Sequence, residues 1–200
     1  KFSFHRTRKL GFLRYVYGPL QQKLLNLEVP YQFQQVIQAE LFVVNNAAGI
    51  LTIGAAIADN TGTGPVSLVK SGTGPLTLTA ANTYTGNTII TGGTVEAGSD
   101  RSFGATLTGA VANSIQLNGG TLSAYQTFTT DPNRGITLTA ASTVTAQPGT
   151  VFTISSPIVG AFGLSRLISE TPTGVVVLAA NNTFNGFDLQ TANNITGAGT

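Results

Sequence analysis

The sequence predicts an all-β chain built from an internal repeat. Three observations lead there. Short alternating runs recur, such as Leu76-Thr77-Leu78-Thr79 and Ile136-Thr137-Leu138-Thr139. Period two places Leu, Ile and Val on one face of a strand and Thr on the other. A phrase returns almost unchanged, "AANTYTG" at 80–86 and "AANNTFNG" at 179–186. Charged residues make up only 9% of the 200, against about 25% in an ordinary globular domain. Such a surface must be built largely from Thr, Asn and Gly, as in β-rich extracellular proteins.

Residues 1–42 form an atypical basic segment. Lys1, Arg6, Arg8, Lys9, Arg14 and Lys23 face only Glu28 and Glu40, whereas 43–200 hold four basic and six acidic groups. The opening residues have a basic start, but Gly11 and Arg14 interrupt any apolar core, so they do not read as a signal peptide. Pro19 suits a first helical position, with Leu20, Leu24 and Leu27 on one face. Tyr31-Gln32-Phe33-Gln34 alternates like a strand. The segment is expected to be a short helix plus an extended piece, capping the strands beyond it.

From Val43 the rhythm is β. Val, Ile and Thr suit strands because their branched Cβ packs well on a pleated surface. Leu51-Thr52-Ile53, Ile115-Gln116-Leu117, Val144-Thr145 and Val151-Phe152-Thr153-Ile154 alternate, with Gly, Asn, Asp or Pro between runs. The echo is long: residues 50–86 align with 151–186, pairing Leu51 with Phe152, Leu76 with Val175, Tyr84 with Phe184 and Gly86 with Gly186. A smaller echo pairs "TGGTVEAG" at 91–98 with "NGGTLSAY" at 118–125. Repetition marks stacked units, each too small to bury its own apolar face. Asn118-Gly119 is also a strong hairpin signal, which keeps an antiparallel β-sandwich open as the alternative.

Residues 68–98, "LVKSGTGPLTLTAANTYTGNTIITGGTVEAG", resemble the autotransporter-associated β-strand repeat of bacterial surface passengers. Leu76, Leu78, Ala81, Asn82, Thr83, Tyr84, Thr85, Gly86, Gly92, Gly93, Thr94 and Val95 carry the likeness. It extends over 43–125, is looser over 134–190 and is absent from 1–42. Asn182, Phe184 and Gly186 are the matching positions of the second copy. The resemblance implies a right-handed, single-stranded parallel β-helix. Tyr84 and Phe184 would then plug corners, Asn82 and Asn182 would sit at turns, and Gly86 and Gly93 would adopt backbone shapes that a Cβ forbids. It also implies an extracellular or cell-surface location in a Gram-negative-type bacterium, export through an outer-membrane translocator, and surface glycans or a host or neighbouring cell surface as partners.

Chemistry-bearing motifs are sparse. Cys and Met are absent. The first removes disulfides and thiolate metal sites; the second is read as the mark of a processed segment or fragment. The ending "NNITGAGT" reads as a pattern that continues. No apolar run approaches the roughly 20 residues of a transmembrane helix. His5 is the only histidine, and no G-x-S-x-G accompanies a serine. "GPVSLVKS" at 64–71 approaches a phosphate-binding loop, but Val69 stands where the second glycine must be. Asp100-Arg101 and Asp131-Pro132-Asn133-Arg134 offer too few carboxylates for a calcium cage and read as turns with local ion pairs. The basic aromatic run Arg6, Arg8, Lys9, Phe12, Arg14, Tyr15 and Tyr17 reads as solvated or facing an anionic surface polymer, not nucleic acid. No catalytic residue, metal or cofactor is expected. The expected function is a structural spacer with an adhesive capacity. The alternative is a carbohydrate-binding or polysaccharide-cleaving β-helix, for which Tyr84, Tyr125, Phe128 and Phe184 are the aromatic candidates. At least two of these four are expected to be buried.

Overall fold

The computed structural model describes residues 13–16, 39–61, 64–167 and 174–190. Strand β1 (Leu13–Val16) and β2 (Ala39–Val44) begin a first sheet, and β3 (Leu51–Ile53) begins a second. The next turns carry β4 (Val66–Ser71) and β5 (Leu76–Leu78), then β6 (Thr88–Ile90) and β7 (Thr94–Ala97). A 3-10 turn, Asp100–Phe103, follows. The turn after it has strands on three sides, β8 (Val111–Asn118), β9 (Thr121–Ala124) and β10 (Phe128–Thr129). So do β11 (Arg134–Ala140), β12 (Ser142–Ala146) and β13 (Val151–Ile154). The series closes with β14 (Ile158–Gly160), β15 (Leu164–Leu167), β16 (Val175–Leu178) and β17 (Phe187–Gln190).

These strands form three parallel sheets, ordered β1-β2-β4-β6-β8-β11-β14, β17-β15-β12-β9-β7-β5-β3 and β10-β13-β16. Each strand pairs with the one a full turn away, and every named pair is parallel. Among the described residues the single antiparallel contact is an isolated bridge between Asn60 and Gly64. The chain is therefore a parallel β-solenoid, and the sandwich alternative is overturned. Asn118-Gly119 does not turn a hairpin. It bends the chain from the first sheet into the second, with Gly119 at φ 90°.

Equivalent residues stack along the axis at the roughly 4.8 Å of adjacent strands. Leu68, Thr88, Ile115, Ile136 and Ile158 form one inward column of the first sheet, and Leu51, Leu76, Val95, Leu122 and Val144 form one of the second. These side chains are buried, most of them fully. On the third side Phe103, Phe128 and Phe152 stack at centroid separations of 6.4 and 4.9 Å, the range of favourable tilted ring pairs.

The small echo is a coil repeat: Thr94, Val95, Glu96 and Ala97 lie beside Thr121, Leu122, Ser123 and Ala124. The double variant Glu96→Cys, Ser123→Cys is thus expected to form a disulfide on mild oxidation. Gln116→Cys with Ser123→Cys should not, because Gln116 lies in the first sheet beside Ile89 and Thr137. Non-reducing electrophoresis with peptide mapping reads both.

The long echo is also real, but it is displaced by one side of the solenoid. Leu51–Ile53 and Leu76–Leu78 belong to the second sheet, whereas Val151–Ile154 and Val175–Leu178 belong to the third. Register pairs Leu51 with Leu76 and Phe152 with Val176, so the counterpart of Leu76 is the buried Val176 and not Val175. The strand-Ala-Ala-Asn corner is therefore a local module, usable on more than one side.

Strand β2 runs across the 42/43 boundary that composition suggests, and β1 joins the same sheet. The expected helix and the alternating Tyr31–Gln34, like His5, fall outside the described residues.

Candidate functional site

Alternation fixes which side chains point outward. In the second sheet Thr94, Thr121, Thr143 and Ser165 form one outer column, and Thr52, Thr77, Glu96, Ser123 and Thr145 another. The hydroxyls bond along the column: Thr143 Oγ1 lies 3.0 Å from Ser165 Oγ, and Thr77 Oγ1 donates to Glu96 Oε2 at 2.6 Å. Gln147 Nε2 reaches back over Ser123 to Glu96 Oε1 at 3.1 Å, which explains why Ser123 is buried. Tyr125 lies against Gly98, where a side chain would collide with the phenol. The face is thus a row of short, mutually bonded polar groups with one carboxylate and one half-buried aromatic.

The repeated phrase has a specific mechanical role. Asn82 is buried, accepts from Ile57 N–H at 2.9 Å and donates to Ser102 carbonyl at 2.6 Å, so one amide joins three successive turns. Asn182 accepts from Ile158 N–H at the same 2.9 Å and donates to Ala180 carbonyl. Thr83 and Thr183 each donate their N–H to the same isoleucine, Ile57 or Ile158. Tyr84 is buried with its hydroxyl 2.6 Å from Thr88 Oγ1, and burial pushes the phenol up to about 12. Phe184 is half-buried against the core.

Of the four aromatic candidates only Tyr84 is fully buried. Tyr125 and Phe184 follow strands at corners and are intermediate, and Phe128 in β10 is intermediate although it stacks between Phe103 and Phe152, so the expectation that at least two of the four are buried is not met. They form no outward row. Leu76 and Leu78 are in the core. Gly93, at φ 63°, leaves no room for a Cβ beside the carbonyls of Gly72 and Gly74. Gly86 differs from the expectation: its requirement is close approach to the Val66 carbonyl and not a positive φ. Gly186, at φ 73°, has open space around it.

Two charged residues that sequence reasoning placed elsewhere are buried. The stretch 64–71 is no phosphate loop, because 66–71 is strand β4. Lys70 occupies the inward column between Val43 and Ile90, and its Nζ donates to the carbonyls of Ser71, Gly72 and Gly92 at 2.7, 3.0 and 3.2 Å. All three protons are used, which is how a buried ammonium is tolerated. Burial pushes Lys70 from 10.5 down to about 8. Between those values the unfolded chain holds a proton that the folded one has released, so stability rises as pH goes from about 8 toward 10. Above about 10 the buried Tyr84 keeps a proton that the unfolded chain gives up, and stability falls again. Urea midpoints across pH 7–11 should show this rise and fall, and Lys70→Met should lose the rise.

Arg134 is the second. Its ion pair is not local, as the sequence suggested, but spans the turns to Asp100. Nε and Nη2 donate to the two carboxylate oxygens at 2.7 and 2.9 Å. Nη1 donates to Phe103 carbonyl and Ser114 Oγ, and Nη2 also to Ala105 carbonyl, so all five donors are engaged. The fork sits where the third side changes from a 3-10 turn to strand. Strand parity reveals both residues: Lys70 is in phase with Leu68, and Arg134 with Ile136 and Leu138.

Among the described residues, no three of His, Cys, Asp or Glu come together, and no helix is long and apolar enough to cross a membrane, which leaves β-barrels aside. Stacked parallel coils, hydrogen-bonded corner asparagines and a hydroxyl-lined outer face define a β-solenoid repeat protein. Residues 68–97 match the family described as passenger-associated-transport-repeat. The chain is also similar to the adhesin BmaC autotransporter of Brucella suis biovar 1 (strain 1330), at 38% identity over 114 residues. That alignment covers 57% of this chain and 3% of the adhesin. The chain thus carries an autotransporter-passenger type of repeat. No solved structure gives a significant match.

Proposed function

We propose that this solenoid is a non-enzymatic spacer within a passenger displayed on, or released from, the surface of a Gram-negative-type bacterium. The observation that carries this reading is the run of parallel ladders through successive turns, with inward columns filled by apolar side chains and outward columns by short polar ones. Each turn adds about 4.8 Å of length at little sequence cost. Similarity to an adhesin supports the surface setting. Surface glycans or a neighbouring cell are the partners such a passenger would meet, and an outer-membrane translocator its export route.

The test is solid-phase binding of the purified, folded chain to epithelial cells, bacterial cells and a glycan panel. A spacer gives only background on all three. Saturable attachment that Glu96→Lys with Thr121→Lys removes would make the second sheet an adhesive face and replace the spacer reading.

A further inference from the structure

One peptide bond has chemistry that the solenoid architecture does not require. Asp131-Pro132 is the only Asp-Pro pair in the sequence. It lies in the corner between β10 and β11, with Pro132 exposed. Asp131 is held at three atoms. Its N–H donates to Asp100 Oδ1 at 2.9 Å, its Oδ1 accepts from Asn133 N–H at 2.8 Å, and its carbonyl oxygen accepts from Arg134 N–H at 2.9 Å. The charged groups packed on this corner, Asp100 and Arg134, pair with each other. Among the described residues Asp131 Oδ2 has no hydrogen-bond partner.

We propose that Asp131 is a self-processing site that cuts its own bond to Pro132 in mild acid. Oδ2 attacks the Asp131 carbonyl carbon, which is fixed beside it in the same residue, so the nucleophile is intramolecular. Negative charge develops on the carbonyl oxygen, where the Arg134 N–H already donates. The C–N bond breaks, and the Pro132 nitrogen takes a proton from solvent and leaves as a secondary amine. The five-membered anhydride left on Asp131 is opened by water into two carboxyl groups. The sum is hydrolysis by one water, with no oxidant, reductant or cofactor.

Acid is needed because the departing nitrogen must be protonated. The folded corner supplies the rest: a placed carboxyl, a polarised carbonyl and an exposed leaving group. A cut here separates residues 1–131 from 132–200. The ladders β8 with β11, β9 with β12 and β10 with β13 all cross it, as does the Arg134–Asp100 fork. The two pieces are therefore expected to stay assembled as a nicked solenoid.

The experiment incubates the full chain at the lowest pH that leaves its far-ultraviolet circular dichroism unchanged, in parallel with the same chain unfolded in urea. Denaturing electrophoresis and mass spectrometry follow the products. The expected result is two fragments, one ending at Asp131 and one beginning at Pro132, formed about tenfold faster folded than unfolded. The fragments should co-elute as one species on native size exclusion, and Asp131→Asn should stop the cut. A folded rate equal to or below the unfolded one, a cut at another bond, or persistence in Asp131→Asn would overturn the proposal.

Discussion

Arg134→Ala is expected to destabilise the chain by about 3–5 kcal/mol, the usual cost of orphaning one member of a buried, hydrogen-bonded ion pair. Arg134 is 1% exposed, and its removal leaves the carboxylate of Asp100, the carbonyls of Phe103 and Ala105 and the hydroxyl of Ser114 without their donor. Arg134→Lys should recover less than half of the loss, because three protons on one nitrogen cannot reproduce the planar two-point fork on Asp100. The damage should be local. A solenoid turn touches only its neighbours, so stability is a sum over turns and interfaces. Hydrogen exchange is thus expected to quicken between residues 98 and 140 while amides near 51–57 keep their protection. A uniform loss across the whole ladder would contradict the nearest-neighbour picture.

The second large effect concerns the asparagine of the repeated phrase. Asn82→Ala strands the Ile57 N–H and the Ser102 carbonyl in a buried corner. At about 1–3 kcal/mol for each of the two unsatisfied groups, the cost is about 2–6 kcal/mol. Asn82→Asp keeps the acceptor for Ile57 but turns a carboxylate toward a carbonyl, and should be no milder. Asn182→Ala removes the same bond to Ile158 N–H from a half-exposed site, where water can replace it, and should cost under about 1 kcal/mol. Urea unfolding of the three variants gives the order directly. Equal losses at 82 and 182 would mean that burial is not what sets the value of this amide.

Much of the architecture was legible in the residues because strands and corners are local. Alternation in Leu76-Thr77-Leu78 gives the inward face. Asparagine within "AANTYTG" and "AANNTFNG" marks the corner. The two Gly-Gly-Thr echoes give neighbouring coils in correct register. The resemblance to a passenger repeat supplied what alternation could not, the parallel stacking itself, because an isolated strand carries no mark of its partner's direction.

The strands, the repeat and the uncharged exterior were written in the residues alone, as consequences of side-chain period and backbone preference over a few positions. Other features arose only when the coils stacked. Stacking turned Asn118-Gly119 into a corner where local preference allows a hairpin. It displaced the second copy of the long echo by one side, because a corner module does not know which face it leaves. It also brought Asp100 to Arg134, and set Lys70 against the carbonyls of Ser71, Gly72 and Gly92. Those groups meet because residues from different turns come to lie side by side, and the desolvation that makes their pairing obligatory exists only in the assembled solenoid.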